Sequence, residues 1–294
     1  MQTQGKVAIE YESLGNPAHP AIVLIMGLGM QLTGWPDSFC RGLVACGYRV
    51  VRFDNRDCGL SGRAPGRKRI NLLLAMAASA LGLPVKTPYT LDDMADDALR
   101  VMDDLGIDRA HIVGVSMGGM ISQVLAARHP QRVLSLTSIM SSSGNRRFSR
   151  PNKKARGVLL SRPADPKNLD SVTDHLVEMF GVIGSPAYPE ALDVMRQRVS
   201  TSVRRAYEPA GTARQLLAII ASGDRRKLLR TINTPTLVIH GAADPLVPLA
   251  AGKDTADNVP GARLLVIDGM GHDLPEPLIP QLVEAIAAHC AGRP

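Results

Sequence analysis

Three residues that are far apart in the sequence, Ser116, Asp244 and His272, carry the side chains that acyl transfer requires. This chemistry needs a nucleophile, a base that takes its proton, and a carboxylate that fixes the tautomer of the base. Each residue comes shortly after an apolar run that predicts a buried strand. Because the carboxyl ends of parallel strands lie at one edge of a sheet, we expect the three side chains to meet there.

The nucleophile candidate lies in Gly114-Val115-Ser116-Met117-Gly118, which fits the Gly-x-Ser-x-Gly nucleophile elbow. An apolar run enters the motif and a helical pattern leaves it until Pro130. Glycines on both sides let the strand and the helix close on each other around a strained serine. Ser116 is therefore predicted at a helix N-terminus, where free N–H groups favour a developing oxyanion.

The oxyanion of such a site needs two backbone donors, one after the nucleophile and one in the loop after an earlier strand. The sequence predicts Met117 for the first and Leu28 for the second, because Gly27-Leu28-Gly29-Met30 follows the apolar run 21–26. Met30, Met270 and Leu274 are predicted to line the substrate pocket with apolar side chains. We therefore expect a hydrophobic acyl or alcohol group in the substrate.

The base and the acid are chosen by their positions. His272 follows the last predicted strand in a glycine-rich loop, whereas the remaining histidines lack a matching context: His19, His111, His129, His175, His240 and His289. The strand that follows the elbow ends in serines and a glycine without a carboxylate. Asp244 follows the next strand, and it is preferred over Asp268 and Asp273 because acids close to a histidine in sequence seldom reach the geometry that an orienting acid requires.

The elements that must position these residues predict an α/β fold. The chain has 294 residues, of which 45% are hydrophobic, enough for one large core with a smaller insertion. Apolar strands alternate with helices up to residue 144 and again from residue 231, which indicates a mostly parallel central sheet flanked by helices. Residues 145–230 show only helical patterns. They are predicted to form a helical cap inserted before the strand that precedes the acid, over a core of residues 1–144 and 231–294.

Composition excludes several classes of protein. The net charge is +7, but no nucleic-acid-binding motif accompanies it. The run 146–156 contains six basic residues and no acid, and it is predicted to be a solvated loop rather than an anion-binding rim. The acidic doublets at 92–93, 96–97 and 103–104 are predicted to form a solvated helix face rather than a metal site. No metal and no cofactor are expected.

Localisation is predicted from three features of the sequence. Four cysteines without paired spacing indicate reduced thiols. The first residues contain no apolar segment that would suggest a cleaved signal. The apolar stretch from Ile70 to Leu83 is shorter than the roughly twenty residues that span a bilayer, and it is predicted to be a buried or lid helix. We therefore expect a cytoplasmic protein without a stable membrane anchor, as a monomer or a dimer.

Five segments together resemble the α/β-hydrolase superfamily over nearly the whole chain. They are Met26-Gly27-Leu28-Gly29, Asp54-Asn55-Arg56, Gly114 to Gly119, Gly241-Ala242-Ala243-Asp244 and Gly269-Met270-Gly271-His272. The chain is most similar to bacterial capped carboxylesterases of the aclacinomycin methylesterase type. It departs from the superfamily pattern at Met26, where many members have histidine, and at Asp57, where glycine is common.

This resemblance implies a serine hydrolase that cleaves carboxylic esters of small molecules through an acyl-enzyme. Thioesterases, lactonases and carbon–carbon bond hydrolases use the same triad and stay open as alternatives. A lipase that acts at membranes through the apolar helix, and a binding protein that has lost catalysis, are further alternatives.

Overall fold

The computed structural model describes residues 7–64 and 71–292, and a seven-stranded sheet forms its centre. The strands lie in the order β1-β3-β2-β4-β5-β6-β7, and all neighbours are parallel except β1 and β3. Their bounds are β1 Tyr11–Leu14, β2 Ala21–Ile25, β3 Arg49–Phe53, β4 Ala110–Val115, β5 Val133–Ile139, β6 Thr236–Gly241 and β7 Arg263–Ile267. The predicted mostly parallel sheet is confirmed.

Eleven α-helices accompany the sheet in the described part of the chain. Those of the core are α1 Asp37–Ala45, α2 Leu72–Ala80, α3 Leu91–Asp104, α4 Met117–Arg128, α10 Leu249–Asn258 and α11 Ile279–Cys290. Those between β5 and β6 are α5 Lys153–Leu160, α6 Leu169–Ile183, α7 Leu192–Arg205, α8 Pro209–Ser222 and α9 Arg226–Leu229. Local chemistry sets several of these bounds. In α3, Thr90 and Asp93 form a capping box that satisfies the first free N–H groups.

Side chains of the central strands alternate between two apolar layers. Val23 and Ile25 of β2 pack with α3 and α4 on one face, whereas Ile22 and Leu24 pack with α1 and α11 on the other. Every residue of β2 and β4 is buried, as expected for strands covered on both faces. The loops at the carboxyl ends of β2, β4 and β6 therefore follow fully buried strands.

Residues 145–230, which we call the helical insertion, contain α5 to α9 and a small apolar cluster of their own. Val172 and Val177 of α6 pack there against Met195, Val199 and Val203 of α7. Its definition as a separate cap domain stays a prediction. Two ion pairs link the helical insertion to the loop after β3.

Two arginines of the helical insertion bind buried carboxylates of the loop after β3. Arg205 Nη1 lies 2.8 Å from Asp54 Oδ2, and Arg214 Nε lies 2.7 Å from Asp57 Oδ2. Both aspartate side chains are fully buried. Asp57 has a φ of 66°, in the left-handed region that explains why glycine would suit this position. The two hydrogen bonds from the Arg214 guanidinium favour aspartate there instead.

We expect Arg214→Met to lower the free energy of unfolding by about 3 kcal/mol, because the Asp57 carboxylate would stay buried without its cation. Chemical denaturation measures the change. Arg226→Met is the matched control on the same insertion, since Arg226 and Asp224 form an ion pair with both side chains about 40% exposed. The control should lose much less stability, because water and salt screen an exposed ion pair. Equal losses in the two variants would contradict a special role of the buried pair.

Two expectations from the sequence need correction. The apolar segment 70–83 was expected to be buried or to form a lid, but in α2 only Ala75 is buried, and Leu73 is 79% exposed. Burial of this helix is therefore a wrong prediction; Ile70 lies outside the described residues, and a lid role stays a prediction. Asp97 of the acidic doublets is also buried rather than solvated, because Arg56 and Arg100 bind its carboxylate.

In the described residues, none of the helices combines the length and apolar character needed to cross a membrane.

Candidate active site

The tight turn between β4 and α4 holds Ser116 in a strained conformation. Its φ is 54° and its ψ is −117°, a combination that L-residues rarely adopt. The flanking glycines make the turn possible, because a Cβ at Gly118 would overlap the carbonyl oxygen of Ile25, and a Cβ at Gly114 would overlap that of Gly118. The local sequence therefore folds as the Gly-x-Ser-x-Gly pattern predicts.

The structure brings the three predicted catalytic side chains together. His272 Nε2 lies 3.1 Å from Ser116 Oγ, and His272 Nδ1 lies 2.7 Å from Asp244 Oδ2. With an ionised Asp244, the proton of a neutral His272 belongs on Nδ1, which leaves Nε2 as the acceptor that faces Ser116. The His272 side chain is only 8% exposed. This arrangement can transfer a proton from the serine to the histidine while the carboxylate stabilises the resulting imidazolium.

The turn after β6 fixes the position of Asp244. The backbone N–H groups of Leu246 and Val247 donate to Asp244 Oδ1 at 2.9 and 2.8 Å, which leaves Oδ2 for His272. His240, at the end of β6, places Nε2 2.7 Å from the Val247 carbonyl oxygen and 3.6 Å from Asp244 Oδ2. Burial lowers the pKa of His240, so its neutral ring supports the turn without adding a second charge.

Leu28 and Met117 carry the two N–H groups predicted to stabilise an oxyanion. Met117 begins α4, where a backbone N–H has no acceptor within its helix. The loop of Leu28 closely approaches the nucleophile, since a Cβ at Gly27 would lie 3.3 Å from Ser116 Cβ. Neither N–H donates to another group among residues 7–64 and 71–292. Within the described residues both donors thus lack an acceptor, as their predicted role requires.

The helical insertion also contacts residues 27–31, the loop predicted to supply an oxyanion donor, which we call the oxyanion loop. Gln215 of α8 is fully buried, and its Oε1 accepts from the Gly29 N–H at 2.8 Å while its Nε2 donates to the Arg56 carbonyl at 2.8 Å. Gln31 Nε2 donates to the Ser202 carbonyl at 2.7 Å, and Arg205 donates to Gln31 Oε1 at 2.6 Å. Sequence reasoning missed these positioning residues, because a glutamine within an amphipathic helix has no local signal for such a contact.

The loop that carries His272 is attached to the same insertion. The His272 N–H donates to the Ile183 carbonyl at 2.8 Å, and the Gly271 N–H donates to Ser185 Oγ at 2.8 Å. Ser185 Oγ in turn donates to the Asp273 carboxylate. The loop of Gly29 and the loop of His272 therefore both contact residues 183–215 of the helical insertion.

We expect Gln215→Leu to lower kcat by about ten- to a hundredfold, because the oxyanion loop would lose its fixed N–H acceptor and its precise placement. KM should change less than kcat. Steady-state kinetics with a soluble ester measures both constants. Gln197→Leu, an exposed change on α7, is the matched control and should leave both constants unchanged. A Gln215→Leu enzyme with normal kcat would contradict this role.

The three predicted pocket residues differ in their burial. Met270 is fully buried in the core layer beneath the loops, whereas Met30 and Leu274 are partly buried and pack against the same layer. Their contact with a substrate stays a prediction.

In the part of the chain that the structure describes, no group of three or more histidine, cysteine or acidic side chains could hold a metal ion.

Residues 20–276 match the family model described as the alpha/beta hydrolase fold. The chain belongs to the α/β-hydrolase family. Among curated relatives of this hydrolase, rhodomycin D methylesterase DauP from Streptomyces sp. (strain C5) is 30% identical, over 98% of this chain and 97% of that protein. Rhodomycin D methylesterase DnrP from Streptomyces peucetius is 29% identical, again over 98% and 97%. The predicted class, a carboxylesterase-type hydrolase, agrees with these relatives.

Solved structures of other proteins share the fold of this hydrolase. An enol-lactonase from Burkholderia xenovorans superposes with a TM-score of 0.71 at 23% identity, with 96% of each chain covered. A meta-cleavage product hydrolase from Pseudomonas fluorescens gives a TM-score of 0.74 at 20% identity, with 98% of each chain covered. At these sequence identities the similarity shows the shared fold and does not identify the reaction.

Proposed function

We propose that this hydrolase cleaves carboxylic esters through an acyl-enzyme formed on Ser116. The observation that carries the proposal is the continuous chain of contacts from Ser116 through His272 to Asp244, at 3.1 and 2.7 Å, with the serine in the strained elbow conformation. The N–H groups of Leu28 and Met117, which have no acceptor within the described ranges 7–64 and 71–292, support the same reaction, since such donors can stabilise the oxyanion of a tetrahedral intermediate.

The proposed reaction has two stages. Ser116 Oγ attacks the ester carbonyl carbon while His272 Nε2 accepts the hydroxyl proton, and the N–H groups of Leu28 and Met117 stabilise the oxyanion. The intermediate expels the alcohol, which takes the proton from His272. Water then adds to the acyl-enzyme, with His272 accepting its proton, and the acid leaves as Ser116 regains that proton.

Methyl esters of hydrophobic acids are the substrate class that we propose to test first. The two relatives that match nearly the full chain are named methylesterases. The apolar side chains of Met30 and Leu274 beside the reactive loops are consistent with a hydrophobic acyl group. Thioesters, lactones and the carbon–carbon bonds cleaved by hydrolases with this triad are the competing substrates.

Active-site labelling followed by a substrate panel tests the proposal. Wild-type protein and Ser116→Ala are incubated with a fluorophosphonate, and intact mass is measured. We expect an adduct on the wild type alone. A panel of methyl esters, longer alkyl esters, thioesters and lactones with matched acyl groups then assigns the substrate class. A folded wild type that neither forms the adduct nor hydrolyses any member of the panel would refute the proposal.

A further inference from the structure

Two neighbouring segments of the surface combine exposed apolar side chains with cations that form no ion pair in the described part of the chain. We call residues 71–89 and 145–159 together the basic apolar surface. Large apolar side chains of the first segment extend into solvent: Leu73, Leu74, Met76, Leu81 and Leu83 are between 54% and 79% exposed. Arg146 of the second segment donates to Ser79 Oγ of α2, and residues of both segments line one groove of about 510 Å³. The apolar and basic parts therefore adjoin.

The charges of this surface have one sign. Its seven cations are Lys86, Arg146, Arg147, Arg150, Lys153, Lys154 and Arg156, and the two segments contain no aspartate or glutamate. None of the seven forms an ion pair with a described residue. Asp224 borders the groove but is paired with Arg226. The two segments therefore contribute seven positive charges and no negative charge.

We propose that the basic apolar surface binds reversibly to anionic lipid bilayers. A bilayer offers negatively charged headgroups to the arginines and lysines and an apolar interior to the leucines of α2, on the same side of the protein. Other partners fit less well. Nucleic acid would neutralise the cations but leave the leucines in water, and a second copy of the chain would bring like charges together.

This binding is peripheral and does not require a spanning helix or an anchor. Side chains of Leu73, Leu74 and Leu81 would enter the boundary between headgroups and acyl chains. The long side chains of Arg147 and Arg150 can reach the phosphates while their stems cover apolar surface. The inference does not depend on the reaction proposed above, because none of these residues contacts Ser116, Asp244 or His272.

Vesicle co-sedimentation tests the proposal with the full chain. We expect wild-type protein to sediment with phosphatidylcholine vesicles that contain about one-third phosphatidylglycerol, to stay in solution with pure phosphatidylcholine, and to dissociate in high salt. Arg147→Gln/Arg150→Gln/Lys154→Gln should weaken the binding by about two orders of magnitude, at about fivefold for each cation. Leu73→Ser/Leu74→Ser/Leu81→Ser should weaken it at least about tenfold.

Arg41→Gln/Arg109→Gln/Lys253→Gln is the matched control. It removes the same charge from three exposed cations outside the basic apolar surface and should bind nearly as well as the wild type. Every replaced side chain is exposed, so we expect all variants to fold. Thermal unfolding checks this for each variant. The proposal is wrong if wild type does not sediment with the anionic vesicles at low salt, or if both charge variants lose affinity equally. A wild-type dimer that the leucine variant converts to a monomer would assign α2 to a second copy instead.

Discussion

Ser116→Ala is expected to lower kcat by about four to six orders of magnitude, because the attacking oxygen is removed while the fold keeps all of its other contacts. Any remaining rate would come from binding and from the Leu28 and Met117 N–H groups acting on a direct attack by water. Hydrolysis of a soluble methyl ester at saturating substrate measures the loss. The temperature of unfolding should stay within a few degrees of the wild type or rise. The substitution removes only one side-chain contact, the one between Ser116 Oγ and His272 Nε2.

A matched control for this prediction is Ser141→Ala. Ser141 lies close by, where its Oγ donates to the Ser116 carbonyl at 2.7 Å, but it does not belong to the triad. Its loss should reduce kcat far less than the loss of Ser116. If Ser116→Ala retained more than about one-hundredth of the wild-type kcat, the acyl-enzyme mechanism would not hold.

Asp244→Asn is expected to lower kcat by about 10⁴. The asparagine side chain has a single acceptor oxygen, whereas the aspartate has two. The N–H groups of Leu246 and Val247 both donate to Oδ1 and would hold that oxygen in the turn. If the amide nitrogen then faces His272, the imidazole Nδ1 becomes the acceptor and the proton moves to Nε2, which removes the base that faces Ser116. Steady-state rates across a range of pH values measure the effect. Fluorophosphonate labelling should slow in parallel.

Asp273→Asn is the control for the assignment of the acid. Asp273 follows His272 directly, but its carboxylate accepts from Ser185 and not from the imidazole, and burial raises its pKa. The change should therefore reduce kcat much less than Asp244→Asn. A larger loss in Asp273→Asn would reverse the assignment made here.

The parts of the site that the sequence predicted are those with a local signal. The elbow around Ser116 is encoded by two glycines within five residues, and Asp244 and His272 follow apolar runs whose ends converge in any parallel sheet. The mostly parallel character of the sheet follows from the same alternation of strands and helices, whereas the strand order is known only from the structure. The geometry of the triad agrees with that reasoning, and its catalytic role awaits the experiments above.

The parts that could not be predicted depend on tertiary contacts. Gln215 and Gly29 are 186 positions apart, and nothing near either residue indicates that one accepts from the other. Asp97 belongs to an acidic doublet that is typical of a solvated face, but Arg56 pairs with it in the interior. The apolar composition of α2 predicted a buried helix, but its leucines are exposed. Composition alone does not tell whether the same chain covers an apolar helix.

The attachment of both reactive loops to the helical insertion limits how this enzyme could be redesigned. Exchanging residues 145–230 for those of another hydrolase is an attractive route to new substrates, since the segment is continuous and lies between two strands. The exchange would also remove the amide acceptor of Gly29 and the carbonyl acceptor of the His272 N–H. A productive chimera would need to retain Gln215, the backbone around Ile183, and the two arginines that pair with the buried Asp54 and Asp57. Specificity can therefore be varied freely only in the remainder of the graft.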